Sequence, residues 1–71
     1  MTSKQTILYN YLDTKGIASI DEIINFAMQT KKYLFSTTHS VRVVYGGMLS
    51  NGILVRTGNN IAIKSKSKKL F

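Results

Sequence analysis

Apolar side chains near the start of the chain recur at the spacing of one α-helical face. Four residues form this stripe: Ile7, Leu8, Tyr11 and Leu12. The stripe predicts a first helix over residues 4–13, with Ser3 or Thr2 as its N-cap. Gly16 follows the predicted end, where a left-handed glycine stops a helix at little cost.

A second helix begins with a capping signal. In Ser19-Ile20-Asp21-Glu22 the serine hydroxyl can accept from the Glu22 backbone N–H, while the Glu22 side chain reaches back to Ser19. The residues that follow divide into an apolar face (Ile20, Ile23, Ile24, Ala27) and a polar face (Asp21, Glu22, Asn25, Gln29). We expect this helix to end near Thr30, and residues 17–18 before it to form an extended link or a small strand.

The third predicted helix runs to about Ser50 and is capped by Ser36, Thr37 or Thr38. Its buried stripe consists of Val41, Val44, Tyr45, Met48 and Leu49. Asn51-Gly52 ends it. Gly46-Gly47 inside it can split or kink the helix, or allow close packing within the fold or across a dimer. The pattern does not place residues 31–35, a link longer than a tight turn.

Two short runs rich in β-branched residues follow, at residues 53–57 and 61–64. Between them lies Gly58-Asn59-Asn60, a turn signal, so the pair predicts a β-hairpin. The predicted organisation is one domain over residues 1–64 and a basic tail over residues 65–71.

Charge is distributed unevenly along these elements. The chain of 71 residues has a formal net charge of +7, yet residues 1–30 hold all three acidic side chains and residues 31–71 hold none. A half of the chain in which every charged side chain is basic indicates a polyanionic partner such as nucleic acid. No apolar run is long enough to cross a membrane or resembles a signal peptide, so we expect a cytoplasmic protein that does not act at membranes.

The order of helix, short link, capped helix, turn, helix, Asn-Gly stop and hairpin resembles the winged helix-turn-helix family. The stretch from Ser40 to Arg56 resembles that family's recognition helix and first wing strand, and the stretch from Gly16 to Ile23 resembles the entry to its second helix. The resemblance implies an α+β fold of three helices with a C-terminal two-stranded β-hairpin as the wing. It also implies a sequence-preferring binder of double-stranded DNA, a small transcriptional regulator. A winged helix that binds RNA or a protein of the transcription machinery is the alternative.

In such a protein the recognition helix, here residues 37–50, enters the major groove. The residues expected to contact DNA from this helix are Thr37, Thr38, His39, Ser40, Arg42, Val43 and Gly46. Arg42 can pair with guanine or grip a phosphate, and Val43 can meet a thymine methyl group. The hydroxyls favour phosphate or serve only as caps, and His39 is equally consistent with a surface role.

The wing and the tail supply the remaining predicted contacts, on the DNA backbone or in the minor groove. From the wing these are Arg56, Asn59, Asn60 and Lys64, and from the tail Lys66, Lys68 and Lys69. A plain turn and a merely solubilising tail are the alternatives.

No catalytic chemistry is indicated by the sequence. There is no cysteine and a single histidine, and no glycine-rich phosphate loop follows a strand. We therefore expect neither an enzyme nor a cofactor, metal or small-molecule ligand.

A homodimer is favoured, because one small module makes few base contacts. The short chain and its Lys, Asn and Ile usage favour a viral or plasmid gene, and the roles of residues 33–35 and 70–71 stay open.

Overall fold

The computed structural model describes residues 1–65, which form a small α+β fold of three helices and one antiparallel sheet. The helices are α1 (Ser3–Lys15), α2 (Ile20–Thr30) and α3 (Thr38–Ser50). The strands are β1 (Ile17–Ser19), β2 (Leu54–Thr57) and β3 (Asn60–Ile63), in the spatial order β1-β3-β2. The tail lysines at 66, 68 and 69 lie outside the described residues.

The caps explain where the first two helices begin. Thr2 caps α1, and its hydroxyl accepts from the Gln5 backbone N–H at 3.2 Å, so the helix begins at Ser3 and extends beyond the predicted end to Lys15. Ser19 caps α2 as predicted, since its hydroxyl accepts from the Glu22 N–H at 3.1 Å.

The predicted end of helix α3 is confirmed, and the helix is not split at its two glycines. It continues through Gly46 and Gly47 without interruption. It ends at Asn51-Gly52, where Gly52 has a φ of 75° and the Ile53 N–H donates to the Met48 carbonyl at 3.0 Å. This is the Schellman arrangement, in which a left-handed glycine lets the last carbonyls find donors.

The prediction of only two strands is wrong, because β1 adds a third strand to the predicted hairpin. Residues 17–18, expected as an extended link or small strand, form β1 together with Ser19, and β1 pairs with β3 in the register Ile17–Ala62, Ala18–Ile61 and Ser19–Asn60. The hairpin itself is confirmed, with Thr57 opposite Asn60 and a two-residue turn between them. β3 thus lies at the centre, paired on both sides.

One apolar core joins the helices to the sheet. Its fully buried large side chains come from every helix, from β3 and from the α2–α3 connection: Leu8, Leu12, Ile23, Phe35, Val41, Met48 and Ile61. Phe35 explains the connection that the sequence pattern could not place, since it is 1% exposed while Tyr33 is 77% exposed. Val44 and Leu49, predicted as part of the buried stripe of α3, are only half-buried against this core.

Candidate nucleic-acid interface

The packing of α3 determines which of its side chains face solvent. Val41, Tyr45 and Met48 are buried against the core, so the opposite face points outward. His39, Arg42 and Val43 are exposed there, and Gly46 lies half-exposed one turn further on. Val43 is 59% exposed, one of three large apolar side chains exposed among residues 1–65. These four residues, which the sequence analysis expects to contact DNA, therefore share the solvent-facing side of α3.

Gly46 and Gly47 leave open space beside α3. A Cβ atom built on either glycine would meet no heavy atom of the described residues within 4 Å outside the local helix. The alternative in which these glycines allow close packing within the fold is therefore wrong. An approach by an external surface, a duplex or another chain, remains compatible with the space.

The hydroxyl groups at the start of α3 make hydrogen bonds within the protein. The Thr37 hydroxyl accepts from the Ser40 N–H at 3.1 Å, and the Ser40 hydroxyl donates to the Thr37 carbonyl at 2.8 Å. Thr38 donates to the sulfur of Met28 at 3.4 Å, a contact that holds α3 against α2. The capping role is thus present, while Thr37 and Thr38 remain exposed to an external acceptor or donor.

A cleft of about 490 Å³ lies between α3, the start of α2 and the hairpin turn. We call it the Arg42–Arg56 cleft, and its lining residues are Ile20, Asp21, Arg42, Tyr45, Arg56 and Asn59. An arginine from α3 and an arginine from β2 therefore border one space. Asp21, which the sequence analysis assigned only to the polar face of α2, contributes a carboxylate to the same lining.

The hairpin turn that closes this cleft is held in place by two hydrogen bonds. The Arg56 Nε donates to the Gly58 carbonyl oxygen at 2.7 Å, and the Ile20 backbone N–H donates to the Asn59 carbonyl oxygen at 2.7 Å. Gly58 has a φ of 60° and Asn59 a negative φ, the combination of a type II′ turn. The turn matches the twist of the strands and sets the direction of the Arg56 side chain.

The other two hairpin residues that were predicted to contact DNA, Asn60 and Lys64, do not line the Arg42–Arg56 cleft. Asn60 is exposed at the start of β3, between Ser19 and Thr57 in the sheet. Lys64 lies at the base of the hairpin, in a second groove lined by Tyr9, Gly52, Ile53, Ile63 and Ser65. The structure thus brings Arg42, Arg56 and Asn59 together and separates Lys64 from them.

Sequence reasoning missed one feature of this surface and one feature of the α2–α3 connection. Asp21 enters the cleft because β1 pairs with β3, and no local signal in the sequence announces that long-range pairing. Tyr33 is exposed between Lys32 and the half-buried Leu34, where only the inward packing of Phe35 decides which aromatic faces out.

An ion pair joins the end of α1 to the first turn of α2. Lys15 Nζ donates to Glu22 Oε2 at 2.6 Å. This hydrogen bond raises the pKa of Lys15 and, together with the Ser19 backbone N–H, lowers the pKa of Glu22. The pair secures the α1–α2 corner.

Across residues 1–65 no helix is long and apolar enough to cross a membrane, and no three side chains of the metal-binding types cluster as a metal site. Comparisons with protein families, curated proteins and solved structures give no match for this chain. The functional assignment therefore depends on the geometry and charge described above.

Proposed function

We propose that this protein is a small winged helix-turn-helix regulator that binds double-stranded DNA. The observation that carries the proposal is the outer face of α3, where His39, Arg42 and Val43 are exposed and where Arg42 shares a cleft with Asn59 of the hairpin turn. An α-helix fits the width of the major groove, and base edges are read there by charged, polar and apolar side chains together. In this proposal α3 is the recognition helix and the hairpin is the wing.

The charge distribution supports the same proposal. The elements that would face DNA belong to the half of the chain that holds eight of its ten basic residues and no acid. Within that half, Arg42 and Arg56 are exposed and neither belongs to an ion pair among residues 1–65. Unpaired guanidinium groups are available to phosphate and to guanine edges.

The inner side of α3 supports a rigid mode of recognition. Val41, Tyr45 and Met48 fix the helix against the core, and the Thr38–Met28 contact holds its first turn against α2. A helix fixed in this way presents His39 and Val43 in a constant relationship to the hairpin. Such fixed geometry is what allows a protein to prefer one sequence over another.

The experiment that tests the proposal is a set of gel shifts with duplex DNA, single-stranded DNA and structured RNA at one stated salt concentration. We expect the duplex to bind tightest, with affinity falling as salt is raised because phosphate contacts release counterions. Preference for RNA over duplex DNA would overturn the proposal in favour of an RNA-binding module. The absence of any salt-sensitive binding would overturn it in favour of a protein-interaction domain.

A homodimer on DNA is part of the proposal, because two copies double the base contacts of a small module. Selection of bound duplexes from a random pool then yields a palindromic site, and light scattering on that duplex gives the mass of two chains. A single chain on a site without a repeat would remove the dimer and leave the DNA-binding proposal in place.

A further inference from the structure

The Arg42–Arg56 cleft contains two guanidinium groups that approach it from different elements. Arg42 comes from the second turn of α3, and Arg56 comes from β2, next to the hairpin turn. Two forked donors that border one space match an anion with several acceptor oxygens. A phosphate group has that chemistry, and its size is compatible with a cleft of about 490 Å³.

Arg56 is oriented before any ligand arrives. Its Nε is used by the Gly58 carbonyl oxygen at 2.7 Å, and the turn that contains Gly58 is tied to α2 through Ile20 and Asn59. Of the five N–H donors of a guanidinium, the four on the Nη atoms are left for a partner. A side chain held in this way loses less conformational freedom on binding than a free arginine does.

The proposed function places a particular part of DNA at this cleft. With α3 in the major groove and the hairpin over the neighbouring minor groove, the sugar–phosphate strand that separates the two grooves has to pass between α3 and the hairpin. The space between these elements is the cleft. Resting on that function, we propose that the Arg42–Arg56 cleft clamps one phosphodiester of this strand, so that Arg42 positions the protein on DNA instead of reading a base.

Asp21 limits the strength of this clamp. Its exposed carboxylate lines the same cleft, and a negative charge beside a phosphate opposes binding. The two arginines exceed it by one charge, so the cleft still attracts an anion. Sequence preference is then left to His39 and Val43, which lie on α3 outside the lining of the cleft.

The clamp is tested on a duplex selected from a random pool, in which each phosphate in turn is replaced by an uncharged methylphosphonate. For the parent protein, one replacement at the proposed strand crossing is expected to lower affinity about tenfold, the effect of a hydrogen bond to a charged group. Arg56→Gln and Arg42→Gln are each expected to lose a similar factor on the unmodified duplex. Both variants are then expected to be indifferent to that one methylphosphonate.

Four further variants test whether the effect is specific to the cleft. Arg42→Lys and Arg56→Lys keep the charge but lose the forked donors, so they are expected to bind between the parent and the Gln variants. Asp21→Asn is expected to bind every duplex more tightly. Lys4→Gln on α1 makes the same charge change as the Gln variants away from the cleft, and it is expected to keep the parent's response to the methylphosphonate.

The outcomes separate the clamp from the proposed function. The protein could bind duplex DNA while the Gln variants of Arg42 and Arg56 stay as sensitive as the parent to every methylphosphonate. That result would overturn the clamp and leave the DNA-binding proposal in place. An Arg42→Gln variant that flattens the preference among sequences would also overturn it, since a phosphate contact weakens all sequences alike. Failure of the parent protein to bind any duplex would overturn the function itself. Thermal unfolding of each variant shows that these changes do not come from loss of the fold.

Discussion

The backbone N–H of Ile20 donates to the carbonyl oxygen of Asn59 across 2.7 Å, which ties the hairpin turn to the first residue of α2. Ser19 and Asn60, the neighbours of these two residues, are paired in the sheet. The hairpin is therefore anchored at its turn as well as through its strands. The contact joins two residues that line the Arg42–Arg56 cleft.

Gly58→Ala is expected to destabilise the fold through that turn. Gly58 has a φ of 60°, and an L-residue with a Cβ atom in a left-handed conformation costs about 1–2 kcal/mol. The Gly58 carbonyl also accepts from Arg56, so affinity for duplex DNA is expected to fall together with stability. Urea unfolding measures the first effect and gel shifts the second. A variant as stable as the parent would contradict the assigned turn.

Substitution of the two glycines of α3 is expected to affect stability and DNA binding in different directions. Both have helical backbones with open space at the Cβ position, so Gly46→Ala and Gly47→Ala are each expected to stabilise the fold by up to about 1 kcal/mol. Gly46 belongs to the outward face with His39, Arg42 and Val43, so Gly46→Ala is expected to weaken DNA binding while it stabilises the fold. Unchanged affinity of the Gly46→Ala protein would show that this face does not approach the duplex.

Two valines on different faces of α3 also distinguish an effect on DNA binding from an effect on stability. Val43 is 59% exposed, so Val43→Ala is expected to leave the free energy of unfolding within about 0.5 kcal/mol while it weakens binding to the preferred duplex. Val41 is fully buried, and Val41→Ala is expected to cost about 2 kcal/mol of stability through lost burial and a residual cavity. Unchanged affinity of a folded Val43→Ala protein would remove Val43 from the interface.

Glu22 makes the stability of the fold depend on pH. Its pKa is lowered from the ordinary 4.5, chiefly by the hydrogen bond from Lys15, so its contribution is complete above 4.5 and is lost as pH falls through the lowered folded value. Glu22→Gln keeps an acceptor for the cap and removes the charge. The variant is expected to unfold at a lower temperature near neutral pH and at the same temperature as the parent in strong acid. A constant difference at all pH values would show that the carboxylate charge does not matter.

The tail lysines are expected to contribute only charge. Replacing Lys66, Lys68 and Lys69 with Ala is expected to weaken binding to all duplexes alike and to reduce the slope of log K against log salt by up to about 2–3. Titrations at several salt concentrations measure the slope. An unchanged slope would show that these three residues do not contact DNA.

Local signals in the sequence predicted most of the elements. The Ser19–Glu22 capping box, the Asn51-Gly52 stop and the glycine turn of the hairpin each depend on residues within a few positions of one another, and all three are present. Such signals are readable because the hydrogen bonds that satisfy a helix end or a turn are made locally.

The features that the sequence did not disclose depend on distant partners. The sequence leaves residues 17–18 open between an extended link and a small strand, because their pairing partner, β3, lies far along the chain. Phe35 follows Tyr33 by two residues, and only the space left between the helices decides that Phe35 enters the core. For the same reason the sequence predicted Arg42 and Arg56 separately, whereas their shared cleft with Asp21 depends on the assembled sheet.

The central position of β3 has a consequence for the order in which the protein is made. β1 and β2 are both synthesised before β3, yet neither has a partner strand until residues 60–63 have left the ribosome. Ile61 and Ile63, which close the core, arrive at the same moment. The helices can form early from local contacts, but the long-range pairing that completes the domain has to follow. A nascent chain stopped after α3 would therefore expose the apolar surface that β3 later covers.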